Sequence, residues 1–175
     1  MTPSRSMTFF AFMLATALLA APFAAFAADS ASGAGAGSGT QFGPRIGMSS
    51  SPDQIVLGGQ IAFPDFAPHL NVVPNVEVGF LDNQTVIALN ADFFYHFVIR
   101  NSAWAPYTGM GLGINIFQYD SGAYKGRASN TVAGANLVFG AGVPTRSGNR
   151  FFAEFRAGLG DIPSLKIMAG WNFKM

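Results

Sequence analysis

From residue 42 onward the chain alternates apolar residues with polar or small ones at a period of two. Residues 85–99 show it best. Thr85, Ile87, Leu89, Ala91, Phe93, Tyr95, Phe97 and Ile99 share one parity, while Asn90, Asp92 and His96 fall on the other. The last segment repeats the pattern, with Ile167, Ala169, Trp171, Phe173 and Met175 set against Lys166, Gly170, Asn172 and Lys174. Successive side chains of a strand point to opposite faces, so this period predicts β-structure with two chemically distinct faces. Read this way, strands are expected near 43–50, 54–63, 70–80, 85–99, 104–117, 130–142, 150–160 and 165–175. Turn chemistry separates them: Ser51-Pro52-Asp53, Pro64 with Pro68, Asp82-Asn83, Asn101-Ser102, the 118–129 segment, Pro144 to Asn149, and Asp161 to Ser164. No stretch after Phe42 approaches the roughly 18 consecutive apolar residues of a membrane-crossing helix.

The faces decide the architecture. A soluble eight-stranded barrel such as a lipocalin keeps its apolar face inside and its charges outside. Here the apolar rows are longer and more continuous than one small core can hold. The opposite rows carry Arg45, Glu77, Asp92, Glu154, Arg156, Lys166 and Lys174, three acids against four bases. Such near-balance suits a desolvated interior, where charges must be paired. Glycines at 109, 111, 113, 134, 140 and 158 share those rows and leave room for Phe94, His96, Tyr107 and Phe152. The expected fold is therefore all-β, an eight-stranded antiparallel up-and-down transmembrane β-barrel with lipid outside and polar groups inside. Trp104, Trp171 and Phe173, with Phe63 and Phe80, fall near strand ends on the apolar face and are candidates for aromatic girdles. Aromatics also favour strands for their own sake.

Composition agrees. Only 11% of the 175 residues are charged and 50% are hydrophobic, against about 25% charged in an ordinary soluble domain. A formal net charge of +1 gives no basic field for nucleic acid. With no cysteine and two histidines there is no disulfide framework and no metal-ligand spacing, so neither a metal nor any other cofactor is expected.

The N-terminus reads as an address. Arg5 precedes the apolar run 7–21, Pro22 ends it, and Ala25-Phe26-Ala27 offers small residues where a signal peptidase reads. Residues 1–27 are thus expected to be a signal peptide, cut before Ala28. A retained anchor would need about 20 apolar residues, reached only by ignoring Pro22. Residues 28–41, rich in Gly, Ala and Ser, are expected to be a flexible leader, and 42–175 the barrel.

Ala105-Pro106-Tyr107-Thr108-Gly109-Met110-Gly111-Leu112-Gly113 resembles the Pro-Tyr-x-Gly-x-Gly-x-Gly strand of small bacterial outer-membrane barrels, the OmpA-like and OmpW-like group. Phe152-Ala153-Glu154-Phe155-Arg156 and the Gly170-to-Lys174 ending are similar to that group's last hairpin. The family usually closes on an aromatic residue read by the barrel assembly machinery, whereas here Phe173 is followed by Lys174 and Met175. The resemblance implies the outer membrane of a Gram-negative bacterium, with lipid, lipopolysaccharide and the assembly machinery as partners. It also implies periplasmic termini and outward loops at 50–54, 81–84, 118–129 and 161–164. Only 118–129 has the length and content (Tyr119, Asp120, Tyr124, Lys125, Arg127) to contact a surface partner.

Candidate chemistry is thin. Acyl transfer needs a nucleophile, a base and an orienting acid in contact. Asp92 and His96 share a strand face four residues apart, about 13 Å along the strand, and cannot touch. Lipid A deacylases of barrel fold carry a His-x-Ser-Asn motif on the penultimate strand, where this chain reads Glu154-Phe155-Arg156-Ala157-Gly158. His69 lies in a Pro-flanked turn and reads as a turn residue. The glycine runs are followed by no GK[ST] and no helix, so they form no phosphate loop. Arg45, Glu77, Asp92, Glu154, Arg156 and Lys166 are expected to form a lumen network that fills the barrel. An ion-gated path is the other use of such a row, but eight strands enclose only enough room for side chains. A non-enzymatic structural or surface-interaction role is expected. The alternatives are an OmpW-like barrel passing small hydrophobic solutes, where Pro74 and Pro106 are the only candidates for a gap in the wall, and, remotely, a lipid A-modifying enzyme.

Overall fold

Among the described residues eight strands follow one another without a helix: β1 (Gln41–Ser50), β2 (Gln54–Ala62), β3 (Leu70–Leu81), β4 (Gln84–His96), β5 (Ala105–Tyr119), β6 (Ala128–Pro144), β7 (Arg150–Gly160) and β8 (Leu165–Lys174). The structure, a computed structural model, describes residues 39–81, 84–119 and 128–175. The expected signal peptide, residues 28–38 of the leader, the Asp82-Asn83 turn and residues 120–127 lie outside the described residues. Each strand pairs antiparallel with its neighbour in sequence, and β8 returns to β1, closing an up-and-down barrel. Closure pairs β1 with β8, so neither end of the sheet is left as the open edge that hydrocarbon does not tolerate.

The two parities separate as the side-chain pattern demands. Along β4, Val86, Ala88, Asn90, Asp92, Phe94 and His96 are buried, while Leu89, Phe93 and Tyr95 are exposed. Every strand shows apolar side chains to the outside, among them Ile46, Leu57, Val76, Leu89, Leu112, Phe139, Phe155 and Ile167. Phe139 is 55% and Leu112 62% exposed, so no inverted, lipocalin-like arrangement exists. Inside, ring-bearing residues sit where the facing position is glycine. A Cβ on Gly140 would stand 2.5 Å from the Tyr107 ring, and one on Gly170 would stand 2.5 Å from that of Phe152. Glycine at these positions is a packing requirement.

Boundaries shift where turns intervene. β4 stops at His96 rather than near 99, because the chain reverses through 97–104 with Asn101 in the left-handed region (φ 59°). Phe97, Val98 and Ile99 carry the alternation into that turn and lie exposed. β6 runs to Ala128 and Pro144, longer than the 130–142 expected, by staying paired with β5 up to Tyr119. Lys174 does not join the interior row; it is exposed where β8 ends. One rim of the barrel carries residues 51–53 and 161–164 and is called here the loop rim. The other, the terminal rim, holds both ends of the barrel and the turns 63–69, 97–104 and 145–149.

Candidate functional site

Halfway along the lumen, six ionic side chains from five strands meet. Arg45 comes from β1, Glu77 from β3, Asp92 from β4, Glu154 and Arg156 from β7, and Lys166 from β8. Period two aims all six inward, and barrel closure brings strands distant in sequence face to face. Arg156 holds Asp92 with one guanidinium nitrogen 2.6 and 2.7 Å from its two carboxylate oxygens. The same side chain lies 3.3 Å from Glu154 and 3.9 Å from Glu77. Arg45 reaches Glu154 at 2.7 Å and Glu77 at 3.3 Å, and Lys166 donates to Glu77 at 2.7 Å. Three cations thus face three anions, all with side chains at most 5% exposed. Balance of this kind is what makes buried charge tolerable, since each ion's desolvation is offset only by its partners. Asp92 faces Gly111 across the β4–β5 ladder, where any Cβ would collide with its carboxylate.

Neutral groups complete the cluster. Gln60 accepts from Arg45 at 2.8 Å and donates to Asn172 at 2.8 Å. Asn75 donates to Asp92 at 2.7 Å and accepts from Asn90 at 3.0 Å. The Tyr107 hydroxyl donates to Glu154 at 2.9 Å, and the Arg45 guanidinium stands 5.9 Å from the Phe152 ring centre. Toward the terminal rim Ala62, Val73, Phe94, Tyr107 and Val138 pack together, and Gln41, Asn71, His96 and Arg150 are buried at that end of the lumen. At the loop rim, Ile162 and Pro163 fold inward and are buried, so the mouth is partly stoppered by the turn between β7 and β8. Gln60, Asn75, Asn172 and the Tyr107 hydroxyl were not singled out from sequence as network members. Their parity was readable, but uncharged amides on an inner row give no signal of which ion they meet.

The remaining candidates fall elsewhere. Asp92 is occupied by Arg156, while His96 lies against Asn71 at 3.1 Å and the Tyr107 ring at 5.3 Å, so acid and base do not combine. His69 is a turn residue with φ 64°; its carbonyl accepts from the His96 amide at 2.8 Å, and its ring meets Tyr95 edge-on. Trp104 is exposed in the turn before β5, and Phe173 is exposed beside Phe42. Trp171 is half-buried against Phe151. All three stand toward the terminal rim, as Phe63 does, and Phe80 stands toward the loop rim. Of the proposed contact loop, Tyr119 is exposed at the end of β5 and stacks on Phe117; Asp120, Tyr124, Lys125 and Arg127 lie outside the described residues. Among the described residues no cluster of His, Cys, Asp or Glu is placed to hold a metal ion.

The strand prolines differ, and Pro44, not singled out from sequence, also marks a break: it pairs with Gly59 on β2, while the β1–β8 ladder skips Gly43 and Pro44. Pro106 sits in an intact ladder opposite Ala141, whereas Pro74 pairs with Ala91 on β4 and with nothing on β2. The β2–β3 pairing ends at Gln60↔Asn75 and resumes only with the Phe63 amide on the Val72 carbonyl. A concavity of about 1260 Å³ in the outer wall runs past this gap, lined by Pro44, Gly59, Ile61, Pro74, Val76 and Leu89 among others.

No protein-family model and no curated protein matches the chain by sequence. Solved structures match by fold. The N-terminal β-barrel domain of Pseudomonas aeruginosa OprF superposes with a TM-score of 0.62 at 14% identity, over 77% of this chain and 96% of that one. Neisserial surface protein A (NspA) gives 0.64 at 16% identity, over 78% and 96%. The outer membrane enzyme PagL gives 0.48 at 10% identity over 77% and 99%. The chain has the eight-stranded fold of the small, OmpA-like outer-membrane barrels.

Proposed function

We propose that this chain is a non-enzymatic protein of a Gram-negative outer membrane, exported by its N-terminal segment and serving a structural or surface-interaction role. The observation that carries this reading is the pairing of an apolar outer belt on all eight strands with a balanced ionic cluster filling the lumen. Such a surface is stable only in lipid, and such an interior conducts poorly because its charges are engaged with one another. With the termini on the periplasmic side, the loop rim faces outward, and Tyr119 with residues 120–127 is the segment offered to lipopolysaccharide headgroups or a surface partner. Against catalysis stand the separation of His96 from Asp92 and the engagement of Asp92 by Arg156.

The test is electrophoresis of a purified outer-membrane fraction with and without boiling. The expected result is a band in that fraction that runs faster unboiled, because a closed barrel stays compact in detergent. A soluble periplasmic protein without a shift overturns the reading.

A second reading has one observation in its favour. The interrupted β2–β3 pairing at Pro74 and the adjoining groove suit lateral passage of a small hydrophobic solute between membrane and lumen.

A further inference from the structure

Two turns of the terminal rim present apolar side chains and the third does not. Turn 97–104 carries Phe97, Val98, Ile99 and Trp104, and Phe66 stands in turn 63–69 beside it; all five are exposed, Phe66 by 63%. Turn 145–149 reads Thr145-Arg146-Ser147-Gly148-Asn149. The apolar turns are fixed from within. The Phe97 amide donates to the Pro106 carbonyl at 2.9 Å, the Trp104 amide to the Ser102 hydroxyl at 3.0 Å, and the Phe66 amide to the Leu70 carbonyl at 3.0 Å. The His96 amide donates to the His69 carbonyl at 2.8 Å and ties the two turns together.

The apolar belt continues into these turns. On β5 the outward row runs from Trp104 to Ile116, about 30 Å along the barrel axis at a rise of about 2.5 Å per residue. On β7 the row from Phe151 to Leu159 covers about 20 Å by the same measure. A membrane that covers the taller row is already level with turn 97–104. One charge lies in that turn. Arg100 is exposed, next to Ile99, and no ion pair or hydrogen bond among the described residues engages it. Among the described residues the exposed charged side chains of this rim are Arg100, Arg146 and Lys174 against Asp65, and those of the loop rim are Asp53 and Asp161.

We propose that turn 97–104 is a phospholipid site: Phe97, Val98 and Ile99, with Phe66 beside them, enter the acyl layer of the leaflet at the terminal rim, and the Arg100 guanidinium binds a headgroup phosphate there. The proposal rests on the outer-membrane reading above, which puts this leaflet on the periplasmic side. Apolar side chains next to one cation match the boundary between acyl chains and phosphates, where a long basic side chain keeps its stem in hydrocarbon and its charge at the headgroup. A guanidinium fork meets phosphate oxygens through two parallel hydrogen bonds, and the cationic excess of the rim favours anionic over zwitterionic lipid. A protein partner would have to displace the lipid that covers Tyr95 and Trp104 alongside.

The chain has no cysteine and two tryptophans, so single probes are available for both halves of the proposal. The full-length protein is folded into phosphatidylcholine vesicles containing some phosphatidylglycerol, with spin labels on Val98→Cys, Phe93→Cys or Ser147→Cys. The Val98 label should match the Phe93 label of the belt, open to oxygen and shielded from a water-soluble nickel chelate, while the Ser147 label on the polar turn is relaxed by nickel. A Val98 label as open to nickel as the Ser147 label overturns the proposal and leaves the turn to a water-borne protein partner. A Phe93 label open to nickel would break the membrane reading itself, and the proposal with it. Trp171→Phe then leaves Trp104 as the reporter beside Arg100. Chain-brominated phosphatidylglycerol should quench it about twofold more than chain-brominated phosphatidylcholine at the same fraction. Arg100→Ser should abolish that preference and Arg100→Lys should keep part of it. Equal quenching by the two lipids, or a preference that survives Arg100→Ser, overturns the headgroup contact. Loss of the preference on adding soluble glycerol phosphate would assign Arg100 to a free phosphate and overturn the proposal as stated.

Discussion

Arg156 illustrates how one residue can hold a membrane barrel together. It is fully buried and touches all three lumen carboxylates, while Lys166 and Arg45 have carboxylates to share among themselves. Removing it leaves Asp92 with only the Asn75 amide at 2.7 Å. Breaking a buried pair on one side costs about 3–5 kcal/mol, because the orphaned charge stays desolvated. Arg156→Ala should therefore lower the urea midpoint of the folded barrel clearly, and Arg156→Ala combined with Asp92→Asn should recover part of the loss. An unchanged midpoint for the single variant would mean that the cluster does not rigidify the lumen. The facing glycines belong to the same argument. Gly111 is dictated by the Asp92 carboxylate and Gly140 by the Tyr107 ring, so neither position tolerates a side chain without displacing a network member.

Among the elements, β3 carries one of two breaks in the wall's pairing, the other lying between β1 and β8 at Gly43 and Pro44. Pro74 has no backbone N–H, and its pairing with β2 is missing where Ile61 would be the partner. If hydrophobic solutes pass laterally, they do so here, and Pro74→Val, which restores a donor, should reduce uptake of a small hydrophobic dye into proteoliposomes by several-fold. Pro106→Val is the control and should change nothing, because its ladder is continuous. Equal uptake by both variants and the parent chain would remove the gap from consideration. β4 and β6 show what period two can and cannot tell. The inner row from Val86 to His96 was legible residue by residue. The end of β4 was not, because Phe97, Val98 and Ile99 keep alternating into a turn whose reversal is set by Asn101 and by the need to meet β5. Likewise, the extra length of β6 reflects pairing with β5, which the residues of β6 alone do not encode.

For the whole molecule, eight strands leave an interior only wide enough for side chains, and these side chains fill it. Arg45, Arg156 and Lys166 are engaged with Glu77, Asp92 and Glu154, with Phe94, Tyr107 and Phe152 packed below them and Ile162 above. Liposomes containing the protein should therefore swell in arabinose no faster than protein-free liposomes. Rapid swelling would show a water-filled path through the cluster and would move the protein toward a channel.

The chain's own residues determined a good deal: eight alternating segments, the parity that faces lipid, and an interior row that holds nearly balanced charge. These follow from local physics, since side-chain direction along a strand and the cost of charge in hydrocarbon need no knowledge of the fold. Only the tertiary structure decided which ions pair. Arg156 meets Asp92 across 64 positions of sequence and Arg45 meets Glu154 across 109. It likewise decided that Pro74 interrupts the wall where Pro106 does not. Each of these depends on register and closure, which are properties of strand pairs rather than of any one strand.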